Sequence, residues 1–275
     1  MKRSVIHRWG GGALALLMLA GLPLLAQRER LEVHALGALH SQVQDLRASA
    51  ARGFGGGGRI AWGLTEKLAV SFEVGADYTA LTQSDVLDEW DWAYWEETYI
   101  DFLPGADVAE VNRTLRYASG DGIYTARFDP SQSMREIRLT AGLAYDIPVT
   151  GRFSGFVGLD VGASLFRREL KMTEHWEKNF DLDTAAVGTD YVYELDLLHY
   201  APAKTGTRLI AMPALGLRWA LMDALDLELA GRFVYYGQRD SIEWLEDLLG
   251  IGADSQQWFP FKSKAQLTLG LRFRY

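Results

Sequence analysis

The C-terminal stretch AQLTLGLRFRY (265–275) alternates without a break. Ala265, Leu267, Leu269, Leu271, Phe273 and Tyr275 fall on one side of an extended chain, and Gln266, Thr268, Gly270, Arg272 and Arg274 on the other, because successive strand side chains point to opposite faces. One face is wholly apolar while the other carries two arginines. Such a strand needs a greasy medium on one side and a polar or ion-paired one on the other.

Seven further segments share the habit: 31–40, 53–64, 68–79, 135–147, 152–168, 207–221 and 225–237. Each is near or above the ~9–11 residues that a tilted strand needs to cross a bilayer. Their connections alternate between short (TEK 65–67, PVTG 148–151, MDA 222–224) and long (41–52, 80–134, 169–206, 238–260). The pattern predicts an all-β chain, an eight-stranded antiparallel up-and-down transmembrane barrel with short periplasmic turns and long extracellular loops. Aromatics on the apolar faces fall at boundary positions: Trp62, Tyr145, Phe153, Trp219, Phe273 and Tyr275 below, and Phe54, Tyr78, Tyr235 and Phe261 above. The twelve steps from Phe261 to Phe273 span about 30 Å along the membrane normal at ~3.3 Å per residue and ~40° tilt. A soluble β-sandwich would alternate too, but it needs one solvated face per strand, and charge on the polar faces is sparse and nearly balanced. Pro213 is the exception, placed mid-strand where a paired backbone donor is expected, so it suggests a bulge or a displaced strand end.

The ending Thr268, Gly270, Phe273, Tyr275 resembles the C-terminal insertion signal of outer-membrane barrels, which implies recognition of Gly270, Phe273 and Tyr275 by the barrel-insertion machinery. The chain as a whole resembles the small outer-membrane barrels of the OmpA, OmpX and OmpW type. That resemblance implies outer-membrane lipid as surroundings and the outer membrane of a Gram-negative-type bacterium as location.

The N-terminus agrees. Lys2, Arg3 and Arg8 precede GALALLMLAGLPLLA (12–26), the charged start and short apolar middle of a secretory signal peptide. Residues 1–26 are expected to be removed and 27–275 to form the barrel. An uncleaved anchor is the alternative, but fifteen helical residues reach only ~22 Å against the ~30 Å of a bilayer core. Cleavage removes three positive charges and no acid, so the net charge moves from −8 to −11. This acidity argues against nucleic acid as a partner. The absence of cysteine excludes disulfides and thiolate sites.

If the apolar faces meet lipid, the others fill the lumen: Glu32, His34, Arg59, Glu73, Asp77, Glu136, Arg138, Asp146, Asp160, Arg168, Arg218, Asp226, Glu228, Arg232, Arg272 and Arg274. Eight acids face seven arginines there, and a barrel this narrow is filled by side chains, so the expectation is an ion-paired plug. A selective pore would need one sign in excess or a wider ring.

Most of the remaining charge lies in 80–134, where eleven acids stand against three arginines. Within it DEWDWAYWEETY (88–99) interleaves acids with aromatics. Asp88, Trp90, Asp91, Trp92, Trp95 and Glu96 are the candidate contact surface for an extracellular protein, since tryptophans supply rigid area and carboxylates meet cations. The alternative is that the tryptophans bury themselves inside the loop. TLRYASGDGIYTARF (114–128) reads as a hairpin about Ser119–Gly122, and WEKNFDLDT and YVYELDLL as similar extensions.

Catalysis has little support. Asp88 and Asp91 with Asp196 and His199 could be drawn as an omptin-like acid and Asp-His set, yet the spacing does not fit that family and eight strands are too few. Gly53, Gly55 and Gly58 match a dinucleotide fingerprint formally but precede a strand. Asp181, Asp183 and Asp190 lack the spacing of a calcium loop. No metal or cofactor is expected. The reading is a non-enzymatic barrel that presents acidic, aromatic loops for partner binding or envelope structure. Its alternatives are a narrow channel for small or apolar solutes and a subunit of a larger surface or secretion assembly.

Overall fold

The computed structural model describes residues 31–45, 50–83, 85–179, 192–237 and 258–275. The expected signal peptide and the aspartates at 181, 183 and 190 lie outside them. The described strands are β1 (Leu31–Asp45), β2 (Ala50–Gly63), β3 (Leu68–Thr82), β4 (Arg116–Ala118), β5 (Tyr124–Thr150), β6 (Phe153–Asn179), β7 (Val192–Tyr200), β8 (Lys204–Met222), β9 (Leu225–Tyr236) and β10 (Phe261–Arg274). Three short helices precede β4: α1 (Val86–Trp90), α2 (Tyr94–Ile100, of π type) and α3 (Val108–Thr114).

Eight of these strands close a ring in the order β1-β2-β3-β5-β6-β8-β9-β10, every pairing antiparallel. Closure leaves no open edge in the bilayer, where an unpaired backbone group would cost several kcal/mol. The alternation read from the C-terminus holds around the ring: Leu267, Leu269, Leu215 and Leu217 are exposed, while Gln266, Thr268 and Arg218 beside them are buried. Outward-facing aromatics mark both boundaries, with Phe153 stacked on Trp219 at 5.7 Å below and Phe54 beside Tyr78 at 5.6 Å above.

Two expectations change. Phe261 does not stand on the lipid face; it is buried inside the outer mouth of the barrel. The register between β1 and β10 slips twice, between Gln42 and Gln44 and between Gln44 and Asp45, and an extra residue in one strand turns the following side chain to the other face. Pro213 produces no bulge. It pairs with Leu159 of β6, and on the β9 side pairing lapses between Ala211 and Ala214 while the register on either side stays the same.

The hairpin β5–β6 is the longest element, with 27 residues in each strand. Its upper half rises past the ring and recruits β4 on one side and β7 on the other, giving a four-stranded sheet above the membrane. The turn 119–122 falls where the sequence placed it, Asp121 accepting from Ser119 Oγ at 2.6 Å and from the Ile123 amide at 3.0 Å. Gly122 takes the left-handed conformation there, with φ of 74°.

Candidate functional site

Two assemblies carry the charge and the aromatics: the packed lumen and the folded cap above it. In the lumen, β-register sets the pairs. Arg59 stands opposite Glu73 in the β2–β3 ladder and donates to it at 2.8 Å, and also to Asp160 at 2.9 Å. Arg232 reaches across the barrel to the same Glu73 at 2.8 Å. Below this layer Arg218 holds Glu228 at 2.9 Å and also Asp146, and lies 4.1 Å over the Phe156 ring. Arg272 pairs with Glu32 and approaches Asp226 at 3.4 Å. Above it, Arg138 bonds Asp77 and Gln266, each at 3.0 Å. Glycines make room for these acids: a Cβ at Gly55 would overlap the Asp77 carboxylate, and one at Gly142 the Asp160 carboxylate. The glycine run of β2 thus serves close packing inside a barrel.

Lys264, absent from the luminal set expected from the sequence, bridges Asp77 at 2.6 Å and Glu136 at 2.8 Å. Tyr236 and Ser164 donate to the same Glu136 at 2.8 and 2.9 Å. The signal was present, since Lys264 continues the polar face of Gln266 and Thr268 by one step. Over this network lies an apolar layer of Met134, Phe166, Met212, Val234, Phe259 and Phe261.

The cap is a small domain-like core. Trp90, Trp95, Ile100, Phe128, Leu170 and Met172 are all at most 1% exposed. Trp95 stacks on Trp92 at 5.8 Å and on Tyr99 at 5.4 Å, meets Phe128 edge-on at 5.1 Å and donates its indole N–H to Asn112 at 3.1 Å. Trp90, Trp92 and Trp95 are therefore turned inward against the β5–β6 sheet and do not form the exposed contact surface expected of them; Asp88 and Asp91 are exposed and Glu96 half-buried. The reason is the pair of short helices α1 and α2, joined by a left-handed turn at Asp91: Trp90, Trp92 and Trp95 are buried, while Asp88 and Asp91 turn to solvent. Asp196 and His199 do not pair either. Asp196 bonds Nδ1 of His175 at 2.7 Å, whose Nε2 meets Asp129 at 3.2 Å, whereas His199 faces the buried Glu174 at 3.1 Å.

Glu174 also accepts from Tyr99 at 2.5 Å and Trp176 at 2.6 Å. Burial and this carboxylate push the Tyr99 hydroxyl well above the ordinary tyrosine range. Glu96 is raised too, first by burial and then by the charge of Asp91. An acid whose folded pKa exceeds its unfolded value binds protons more readily when folded, so its contribution favours folding at low pH and fades as pH rises from about 4.5 through the raised value. Glu96→Gln is expected to flatten that part of the cap's pH profile, measured by hydrogen exchange of 86–100 between pH 4 and 7; an unchanged slope would refute the assignment. Beside the cap, a cleft of about 870 Å³ opens between α3 and the upper sheet, lined by Glu110, Thr114, Arg127, Trp176, Glu177 and Glu194 among others.

A closed eight-stranded ring with an apolar outer wall and aromatic boundaries belongs in an outer membrane. No family model and no curated protein matches the chain. Among solved structures it is similar to Neisserial surface protein A, with 13% identity over 89% of this chain and 97% of that one and a TM-score of 0.41. It is also similar to Ail, the attachment invasion locus protein of Yersinia pestis, solved with the heparin analogue sucrose octasulfate (8% identity, 90% and 99% covered, TM-score 0.39). A third likeness is to the outer membrane protein OprG of Pseudomonas aeruginosa (8% identity, 90% and 95% covered, TM-score 0.32). These are what the chain is similar to; by its own ring and wall it is an outer-membrane β-barrel.

Proposed function

We propose that the chain is a non-conducting, non-enzymatic anchor that holds a rigid acidic cap outside the cell for binding a protein partner. The observation that carries this reading is the continuity of side-chain packing from Glu32 and Arg272, through the Glu73 and Glu136 layers, to the aromatic mouth at Phe259. Charges paired this closely offer a solute neither a water-filled path nor an excess of one sign. The narrow-channel alternative loses ground for the same reason.

Binding then falls to the cap. Its buried tryptophans hold the shape, and its exposed acids, Asp88 and Asp91 with Glu110 and Glu194 beside the cleft, supply a surface for a cationic face of the partner. Two measurements test the proposal. In planar bilayers the purified barrel is expected to give no sustained conductance; large stable channels would refute the plug. Glu110→Lys with Glu194→Lys is expected to weaken capture of the partner that co-purifies from native membranes, and undiminished capture would move the binding surface elsewhere.

A further inference from the structure

The outer face of the barrel is apolar from Tyr145 up to Ile137 on β5 and from Val157 up to Leu165 on β6. One step higher on each strand that changes. Arg135 and Arg167 are direct cross-strand partners, both exposed on the lipid-facing side. Along the same row stand Tyr78, opposite Arg135, and Phe54, opposite Tyr78, the outer aromatic boundary. Ten residues separate Arg135 from Tyr145 of the lower boundary, about 25 Å along the normal at ~3.3 Å per residue and ~40° tilt, the height of the apolar band. The two guanidinium groups therefore lie at headgroup level.

Like charges placed directly opposite on a sheet repel each other. Arg167 has partial relief, its Nε donating to Glu169 at 2.7 Å. Arg135 has no carboxylate partner among the described residues. Arg52 of β2 adds a third positive charge, one register step higher on the same face, with its partner Ala80 two residues from the partner of Arg135. On a chain of net charge −8, this is a cationic row held against the membrane boundary with one acid beside it.

We propose that Arg135 and Arg167 form a site for the phosphate group of a membrane lipid, with Arg52 as a flanking contact. A phosphate between the two guanidiniums converts their repulsion into two charge-assisted, planar hydrogen-bonded contacts. The row is adjacent to acyl chains below it, so a ligand that carries its phosphate on a lipid tail gains from both. The site goes beyond the cap's binding role, since it uses the wall and not the loops.

The test is native mass spectrometry of the folded protein in neutral detergent, titrated with phosphatidic acid or with phosphatidylcholine. The wild type is expected to retain phosphatidic acid in preference. The Arg135→Gln/Arg167→Gln variant is expected to lose at least about tenfold of that retention, while Arg113→Gln, an exposed position on α3, keeps it. Heat-modifiable migration verifies that each variant is folded. Retention unchanged in the double variant, or lost equally in Arg113→Gln, would overturn the site. Displacement of the lipid by millimolar inorganic phosphate would overturn the lipid assignment in favour of a free-anion site.

Discussion

Replacing Glu73 with Ala is expected to cost the barrel about 3–5 kcal/mol, the penalty for breaking a buried ion pair from one side. Glu73 accepts from Arg59 at 2.8 Å and from Arg232 through both carboxylate oxygens, at 2.8 and 2.9 Å. Arg59 keeps Asp160 when Glu73 is removed. Arg232 pairs with no second acid among the described residues: its Nε and second amino group are already without hydrogen-bond partners there, so the change leaves a buried guanidinium without its ion pair. Adding Arg232→Met to Glu73→Ala is therefore expected to recover part of the loss, because two apolar groups replace one isolated charge. Urea unfolding in lipid vesicles, followed by heat-modifiable migration, reads both variants. A double variant no more stable than Glu73→Ala would show that Arg232 does not depend on Glu73, and the layered network would have to be redrawn.

That network is legible in the sequence because one rule governs it. In a closed barrel, side-chain parity alone decides lumen or lipid, so Glu32, Arg59, Glu73, Asp77, Arg138, Asp160, Arg218, Glu228, Arg232 and Arg272 could all be assigned inward from alternation, and all are buried there. Among the described residues, parity fails where the ladder slips. Phe261 turned inward because of irregularities beside Gln42 and Gln44, and no residue type announces a slip of that kind.

The cap was harder to read for a different reason. α1 and α2 have five and seven residues and no side-chain cap, too short to show a helical period. Acids interleaved with tryptophans look the same whether the rings face solvent or fold inward. The pairing of Asp196 with His175 depends on the register of β7 against β6, which the length of the intervening loop does not determine. Lys264, by contrast, was within reach, since it lies two residues before Gln266 on the polar face of a strand already read from Phe261.

The second large effect is expected from Trp95→Ala. Trp95 is 0% exposed, touches Trp92, Tyr99 and Phe128, and satisfies Asn112. Truncating a buried tryptophan costs about 3–5 kcal/mol, and the Asn112 oxygen loses its donor as well. Where that cost appears is the informative part. None of α1, α2 and α3 contributes a strand to the ring, whose pairing and luminal ion pairs lie below, so the loss should open the cap while the barrel stays folded. Limited proteolysis should cut within 85–115 in the variant and spare the wild type, and heat-modifiable migration should be the same for both. One connection runs against full independence: Arg168 sits 5.1 Å from the Trp90 ring and bonds Gln83 and Gln132 at the mouth. If the variant barrel also loses heat-modifiable migration, that connection couples cap and barrel into one cooperative unit. The acidic surface would then depend on the luminal network beneath it, and the cap would not fold as a separate element.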